Sequence, residues 1–295
     1  MALKDLMVLL DATEQSTRRL DLAASLALRH GAFVTGVCLA EAIRPVDPLV
    51  LSADAYAFGT GIVAFITEIK AERERQIAPI EAALDERLAR DKLNGAFVLE
   101  EGPPVPGALA RARHADLVVV GQTEPEGGPG GGPGGGKYQP SVNPVEEILL
   151  GAGRPLIVVP AYGNFPTCGE TVLIGWTETR EAARAVHDAL PILVGARAVT
   201  VLTVGDGEGE EAAEEAVPGT GIAEHLARHG VPATAAQTVT GGLAPADVLL
   251  NYASDIGADL IVVGGYGHSR LREVTLGGVT RSLLRHMTVP VLFSH

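Results

Sequence analysis

Residues 258–264 read Ala-Asp-Leu-Ile-Val-Val-Gly, and residues 115–121 read Ala-Asp-Leu-Val-Val-Val-Gly. In both stretches an apolar run lies between an aspartate and a glycine, as is typical of a buried strand in a parallel sheet. A second pair of stretches also matches, Arg-Pro-Leu-Ile-Val-Val at 154–159 and Val-Pro-Val-Leu-Phe at 289–293. The chain therefore contains an internal duplication in which each half ends in the same two strands.

The same alternation of short strands with helices runs through both halves. In the first half we predict strands at 6–10, 32–39, 96–100, 116–120 and 155–159, and helices at 14–30, 62–91, 105–114 and 144–150. In the second half we predict strands at 171–176, 198–204, 233–239, 259–263 and 289–293, and helices at 179–194, 219–229, 244–256 and 276–286. This spacing favours parallel sheets wound by right-handed crossovers. The sequence predicts an α/β protein of two tandem Rossmann-like domains, 1–162 and 171–295, with a linker at 163–170.

Composition is that of a globular protein and argues against several functions. Of 295 residues, 46% are hydrophobic and 4% aromatic, so small aliphatic side chains must fill the core. The net charge of −13 argues against nucleic-acid binding, because phosphate neutralisation needs clustered Lys and Arg. The sequence reads as having neither a signal peptide nor a transmembrane helix, which predicts a cytoplasmic protein with no membrane partner. Cys38 and Cys168 are interpreted as buried, inert thiols rather than a disulfide.

Two segments between the predicted elements are unusual. Residues 127–136 read GGPGGGPGGG, a low-complexity insertion with no apolar surface to bury. The spacing of Gly131, Gly136 and Lys137 fits a P-loop, but Tyr138 replaces the required Ser or Thr, so we reject that interpretation. The apolar segment 43–58 is expected either to cover the cleft of the first domain or to form an interface between chains.

The segment 264–280, GGYGHSRLREVTLGGVT, carries the clearest signal of a ligand site. It leaves the carboxyl end of a predicted strand, where ligands bind in open α/β sheets. Gly264 and Gly267 would let a ligand approach the backbone, and a helix beginning at Gly277 and Gly278 favours an anion at its N-terminus. Thr280 adds a hydroxyl. Four arginines accompany the segment: Arg270, Arg272, Arg281 and Arg285. The segment predicts a phosphate site; the alternative is that the glycines only make tight turns.

This segment resembles the universal stress protein family, whose nucleotide-binding members carry G-x2-G-x9-G-(S/T); Gly264, Gly267 and Gly277 stand at that spacing. The resemblance implies an adenine nucleotide alpha hydrolase-like fold, a five-stranded parallel sheet flanked by helices in each domain. It implies pairing along the last strands, in a homodimer or an intramolecular pseudo-dimer, and binding of ATP or AMP, with Mg²⁺ accompanying ATP. The nucleotide-binding residues that it implies are Thr177, Thr203, Val204, Gly264, Gly267, His268, Gly277, Gly278, Val279 and Thr280.

The chain departs from the family pattern in both halves. In the second half, Gly278 replaces the Ser or Thr of the motif, and Thr177 stands where the family places an aspartate after the first strand. In the first half, Asp11 is that aspartate, but Gly121 is followed by Gln-Thr-Glu-Pro-Glu rather than the motif. The resemblance therefore implies a vestigial site at Asp11 and Gly121.

The remaining polar residues do not form a recognisable catalytic set. His268 and Ser269 have no third partner at a nucleophile–base spacing. His225 and His229 have i, i+4 spacing without an evident third ligand, so we predict no metal site and no catalytic residues. We predict a nucleotide-binding regulatory module in the stress response, not an enzyme. The alternatives are a stress protein that acts through dimerisation or partner contacts without nucleotide, and a weak ATPase or phosphate-transfer enzyme.

Overall fold

The computed structural model describes residues 2–40, 55–123, 145–205, 217–265 and 277–295, and for residues 55–66 the backbone alone. Within these ranges each half alternates strands with helices. The first half comprises β1 (Asp5–Leu10), α1 (Glu14–His30), β2 (Phe33–Ala40), α2 (Ala55–Asp91), β3 (Gly95–Glu101), α3 (Pro104–Ala112), β4 (Leu117–Gly121), α4 (Val145–Gly151) and β5 (Leu156–Val159).

The second half repeats that order from Thr171 onward. It comprises β6 (Thr171–Gly175), α5 (Arg180–Leu193), β7 (Ala198–Gly205), α6 (Thr220–Arg228), β8 (Ala233–Val239), α7 (Pro245–Asp255), β9 (Leu260–Gly264), α8 (Gly278–His286) and β10 (Val291–Ser294). The predicted α/β fold class is confirmed, and most element bounds fall within two residues of the prediction.

The strands form one sheet in the order β3-β2-β1-β4-β5-β10-β9-β6-β7-β8. Within each half, neighbouring strands are parallel. Between the halves, β5 and β10 run antiparallel, with Val158 opposite Val291 and Leu156 opposite Phe293. The two predicted five-stranded sheets are therefore continuous through their last strands.

Helices cover both faces of this sheet. One face carries α1, α2, α5 and α6, and the buried core there runs from Leu22 and Leu84 in the first half to Val186 and Leu226 in the second. The other face carries α3, α4, α7 and α8, with Ile148 and Leu283 in its core. Strands such as β4, whose residues are all buried, contribute side chains to both cores. This explains the continuous apolar runs in the sequence.

One predicted boundary is wrong. Residues 55–58, which we assigned to the apolar segment 43–58, belong to α2, which begins at Ala55 instead of residue 62. Gly59 and Gly61 lie within this first part of α2, and a glycine costs a helix only about 1 kcal/mol, which a helix of 37 residues can absorb. The rest of that segment and the insertion at 127–136 lie outside the described residues. No helix within the described ranges is both long and apolar enough to cross a membrane.

Candidate functional site

The predicted ligand residues of the second half meet at one edge of the sheet. Strands β9, β6 and β7 are adjacent and parallel, with Gly175 of β6 beside Val263 of β9. Their carboxyl ends therefore bring Gly264, Thr177 and Thr203 to the same edge. Helix α8 leads from that edge back to β10, which is parallel to β9, so its N-terminus lies at this edge too. In open α/β sheets this edge is the usual place for a ligand.

Gly264 is required by packing. A Cβ built on it would lie 2.6 Å from the backbone nitrogen of Ala182 and 2.9 Å from the carbonyl oxygen of Glu181. The first turn of α5 thus sits directly against the end of β9. A backbone cannot move aside as a side chain can, so this glycine has a structural reason that needs no ligand.

Gly277 and Gly278 have no such reason within the described residues. Gly277 precedes the first residue of α8, has an extended conformation (φ −55°, ψ 142°) and gives the helix no side-chain cap. No described atom lies within 4 Å of a Cβ built on either glycine. Thr280, in the first turn, is buried at 4% exposure. Among the described residues nothing covers the helix start, and its first N–H groups suit an anion.

The charges next to this edge come from the start of α5. Thr177 is exposed, and its hydroxyl lies 3.4 Å from that of Thr179, which caps α5 by accepting from the backbone nitrogen of Ala182. The carboxylate of Glu181 is buried and paired with Arg180, Nε to Oε1 2.5 Å. The hydrogen bond from Arg180 holds the pKa of Glu181 below its usual range, so the carboxylate is ionised at neutral pH. The Glu181 carboxylate would repel a phosphate bound at this edge, and the positive charge of Arg180 beside it would offset that repulsion.

Thr203, predicted to contact the nucleotide from β7, is partly covered by the segment that leads into α6, whereas Val204, predicted with it, packs against the core on the other face of the sheet. The Thr203 hydroxyl donates weakly to the carbonyl of Pro218 at 3.4 Å. Gly219 has a positive φ of 90°, and a Cβ there would lie 3.1 Å from Val201 and 3.4 Å from the Thr203 hydroxyl. The start of α6 therefore packs closely on the end of β7. Sequence reasoning missed this cover, although Pro218-Gly219 is a turn signal.

Several predicted contacts fall outside the described residues. These are Gly267, His268, Arg270 and Arg272; among the other predicted arginines, Arg281 and Arg285 are exposed on α8. The structure therefore places Thr177, Thr203, Val204, Gly264 and the start of α8 at one edge, and the roles of all these residues stay predictions.

In the first half, Arg19 connects the two residues of the predicted vestigial site. Its Nη2 donates to Asp11 Oδ2 at 2.6 Å, and only 6% of the Arg19 side chain is exposed. Asp11 Oδ1 accepts from the backbone nitrogen of Thr13 at 2.9 Å. A Cβ on Gly121 would lie 2.4 Å from Arg19 Nη1, so the guanidinium lies directly against that glycine. The chain's own cation occupies the space between Asp11 and Gly121. Sequence reasoning missed it, because Arg19 lies on the apolar side of α1.

A cavity of about 530 Å³ opens on the other side of Asp11, between α1 and α2. Its lining combines hydroxyls of the first turns of α1 with charged side chains of α2, including Ser16, Thr17, Glu86 and Arg90. Arg87, also in the lining, is held by Asp91 at 2.6 Å and by Asp21. The cavity lies in the half where we predicted no working site, and no sequence motif marks it.

The two cysteines are buried, as predicted, and three histidines lie close together. Cys38 and Cys168 are free and buried, and burial raises their pKa values to about 11 and about 12. His225 lies between two other imidazoles, with ring centroids 5.2 Å from His187 and 4.7 Å from His229. In the part of the chain that the structure describes, no three His, Cys, Asp or Glu side chains are arranged to hold a metal ion.

Comparison with known protein families gives a match over the second half. Residues 170–295 match the model described as the universal stress protein family. A stretch of 69 residues is 41% identical to Universal stress protein YxiE of Bacillus subtilis and covers 23% of this chain and 45% of that protein. A stretch of 46 residues is 37% identical to Universal stress protein Slr1230 of Synechocystis and covers 16% of each chain. The matches thus span less than half the length of either relative.

Among solved structures, the chain is similar to a universal stress protein from Archaeoglobus fulgidus. The two superpose with a TM-score of 0.66 over 98% of this chain and 95% of that one, at 14% sequence identity. At this identity the likeness concerns the fold. It extends the likeness to the first half, which the family model does not match.

Proposed function

We propose that this chain, whose residues 170–295 match the universal stress protein family model, acts in a stress response by binding an adenine nucleotide, ATP or AMP, in its second half. The triphosphate or monophosphate would lie against the open start of α8, with Mg²⁺ accompanying ATP. The base would face the ends of β6 and β7, near Thr177 and Thr203. Binding, not turnover, is the activity.

The observation that carries this proposal is the contrast between two kinds of glycine. Gly264 is required by the backbone of α5, whereas Gly277 and Gly278 have no described atom within 4 Å of a Cβ position. Glycines that no described packing requires, at a helix start with no described atom against it and beside three strand ends, suit the close approach of a phosphate. Packing accounts for the first glycine, and among the described residues it gives no reason for the other two.

The first half has a different part in this proposal. Arg19 already neutralises Asp11 and covers Gly121, so a nucleotide would have to displace an internal ion pair there. We propose that the first half is a structural partner, and that the β5–β10 junction makes the chain an intramolecular pseudo-dimer. The antiparallel pairing of β5 with β10 supports this.

The test is calorimetry of the purified full chain with ATP and with AMP, each with and without Mg²⁺. We expect one nucleotide per chain, and no heat from Gly277→Val, whose side chain would project from the start of α8. The fold should tolerate this variant because Gly277 has a negative φ and no described atom lies within 4 Å of its Cβ position. Gly195→Val is the matched control at the opposite edge of the sheet, since Gly195 is exposed after α5. Wild-type protein that binds neither nucleotide at millimolar concentration would sink the proposal.

A second candidate function is a stress protein that works through partner contacts without nucleotide. Three observations favour it: the neutral Thr177 in place of an aspartate, Gly278 in place of a hydroxyl residue, and the cover of Thr203 by Pro218. The same calorimetry separates the two candidates. Release of phosphate from ATP by the wild-type chain, lost in Gly277→Val, would instead indicate a weak ATPase.

A further inference from the structure

Gln122 is a buried side chain of the first half that bonds to the second half. It directly follows the last residue of β4 and is 9% exposed. Its amide nitrogen donates to the carbonyl oxygens of Leu284 and Arg285, at 2.9 and 3.0 Å. Its amide oxygen accepts from the backbone nitrogen of Ala161 at 2.9 Å. The partners fix the orientation of the amide, because carbonyls only accept and a backbone N–H only donates.

The two carbonyls belong to the last turn of α8. The last carbonyls of any helix lack partners within that helix, and they require donors from elsewhere when they are covered. The side-chain amide of Gln122 donates both of its hydrogens to carbonyls at this helix end. The other end of this nine-residue helix is the start at Gly277 and Gly278, where no described atom lies within 4 Å of a built Cβ. A residue that fixes the end of so short a helix also fixes its beginning.

The backbone of Gln122 is anchored as firmly as its side chain. Its backbone nitrogen donates to the carbonyl of Val159, the last residue of β5, at 2.8 Å. The amide therefore reaches α8 from a position set by β4 and β5 together. Neither strand belongs to the half that carries the proposed site.

The second half has no side chain at the position that matches Gln122. Gly265 holds the matching position after β9, and its backbone nitrogen makes the matching bond to the carbonyl of Ser294 at 2.7 Å. It has no side chain to offer, and a Cβ there would lie 3.3 Å from Leu149 of α4. The backbone geometry is thus repeated in both halves, while the amide is present in one. The helix that receives the Gln122 amide is α8, and α8 is also the helix that begins at Gly277 and Gly278, the proposed anion site.

We propose that Gln122 is a positioning residue, through which the first half holds α8 and thereby shapes the start of that helix for an anion. The proposal rests on the nucleotide-binding function proposed above. In this role the first half contributes to ligand binding in the second half without binding a ligand itself.

The experiment compares wild-type full chain with Gln122→Met and Gln122→Ala. Methionine retains most of the volume without the donors, so it removes the two bonds with little change in packing. Gln76→Ala is the matched control, because the Gln76 amide bonds only to Glu72 of its own helix among the described contacts. Two quantities are measured, hydrogen exchange of the α8 amides and the affinity for ATP by calorimetry.

We expect the α8 amides to exchange about tenfold faster in Gln122→Met, with ATP affinity falling by about the same factor, as for the loss of one to two buried hydrogen bonds. Gln76→Ala should change neither. Exchange within about twofold of wild type would overturn the capping role. Faster exchange with unchanged affinity would overturn the positioning role. If the wild-type chain binds no ATP, the proposed function fails, while the exchange measurement still decides whether Gln122 holds α8.

Discussion

Asp259, one of the two aspartates in the repeated stretches, has a structural task that its neighbours explain. Its Oδ1 accepts from the backbone nitrogens of Gly169, Glu170 and Thr171, at 2.9 to 3.0 Å. Asp116 makes the corresponding bonds in the first half, where its Oδ2 accepts from Lys4 and Asp5. In each half the aspartate before the fourth strand thus holds the chain that enters the first strand. Both copies of the repeated stretch therefore use the aspartate carboxylate for the same kind of backbone bond.

Replacing Asp259 with alanine should therefore destabilise the protein without touching the proposed site. The variant leaves three N–H groups without their acceptor. A single hydrogen bond to a charged group contributes about 1.5–3 kcal/mol, and the exposed N–H of Glu170 can bond to water in the variant. We expect a loss of about 2 kcal/mol in the free energy of unfolding, measured by urea titration. Asp255→Ala, an exposed aspartate at the end of α7, should be near neutral. Equal effects of the two variants would contradict this role.

The two cysteines should react slowly with thiol reagents. Burial raises the pKa of Cys38 to about 11, with a contribution from Asp11, and that of Cys168 to about 12, with a contribution from Asp259. The reactive thiolate is therefore scarce at pH 8. We expect a disulfide reagent to label neither cysteine within minutes at pH 8 in native protein. In urea, where the chain is unfolded, the reagent should label both cysteines rapidly. Rapid labelling of the native chain would show that these side chains are reached by solvent.

At the scale of elements, α5 and α6 share a cluster of three imidazoles. Desolvation, and then the neighbours His229, His187 and Arg228, lower the pKa of His225 from 6.5. Its Nε2 is buried without a hydrogen-bond partner among the described atoms. Protonating His225 would therefore place a cation beside two further imidazoles, which disfavours the packed arrangement of the two helices.

The pH dependence of stability follows from the direction of that shift. Because the folded-state pKa lies below the unfolded value, the unfolded chain takes up the proton first. Stability is full above about pH 6.5 and falls as the pH drops towards the folded-state pKa of His225. We expect His225→Gln to flatten the decline in melting temperature between pH 7 and pH 5, while His114→Gln, an exposed residue after α3, leaves it unchanged. An identical decline in both variants would contradict this origin.

The sequence predicts elements better than it predicts what covers them. The apolar runs and helical periodicities gave bounds close to those observed, because a parallel strand must be apolar on both faces. The role of Arg19 could not be read in advance, since its pairing with Asp11 depends on how α1 lies against β4. The same holds for Pro218 over Thr203, and for Gln122, whose partners lie 162 and 163 residues away. Contacts between distant segments leave no periodicity in the sequence.

At the scale of the whole molecule, the sheet is continuous and β10 lies in its middle. Strand β10 pairs with β9 of its own half and with β5 of the other. Phe293 is fully buried in the core shared with α4 and α8. The halves therefore share a strand junction, a core and the Gln122 bonds. These contacts make independent unfolding of either half costly, because it would expose the apolar surface of the other.

We therefore expect the chain to unfold in one transition, and Phe293→Ala to shift the whole of it. Removing a fully buried phenylalanine costs about 3–5 kcal/mol. The single tryptophan, Trp176, reports on the second half by fluorescence, while far-UV circular dichroism reports on both. The two signals should coincide in wild type and remain coincident, at lower denaturant, in Phe293→Ala. Phe33→Ala, at a phenylalanine that is 39% exposed, is the matched control and should move the midpoint much less. If fluorescence shifts alone while circular dichroism separates into two steps, the halves are independent domains, and the first half could not hold α8 in place for a ligand.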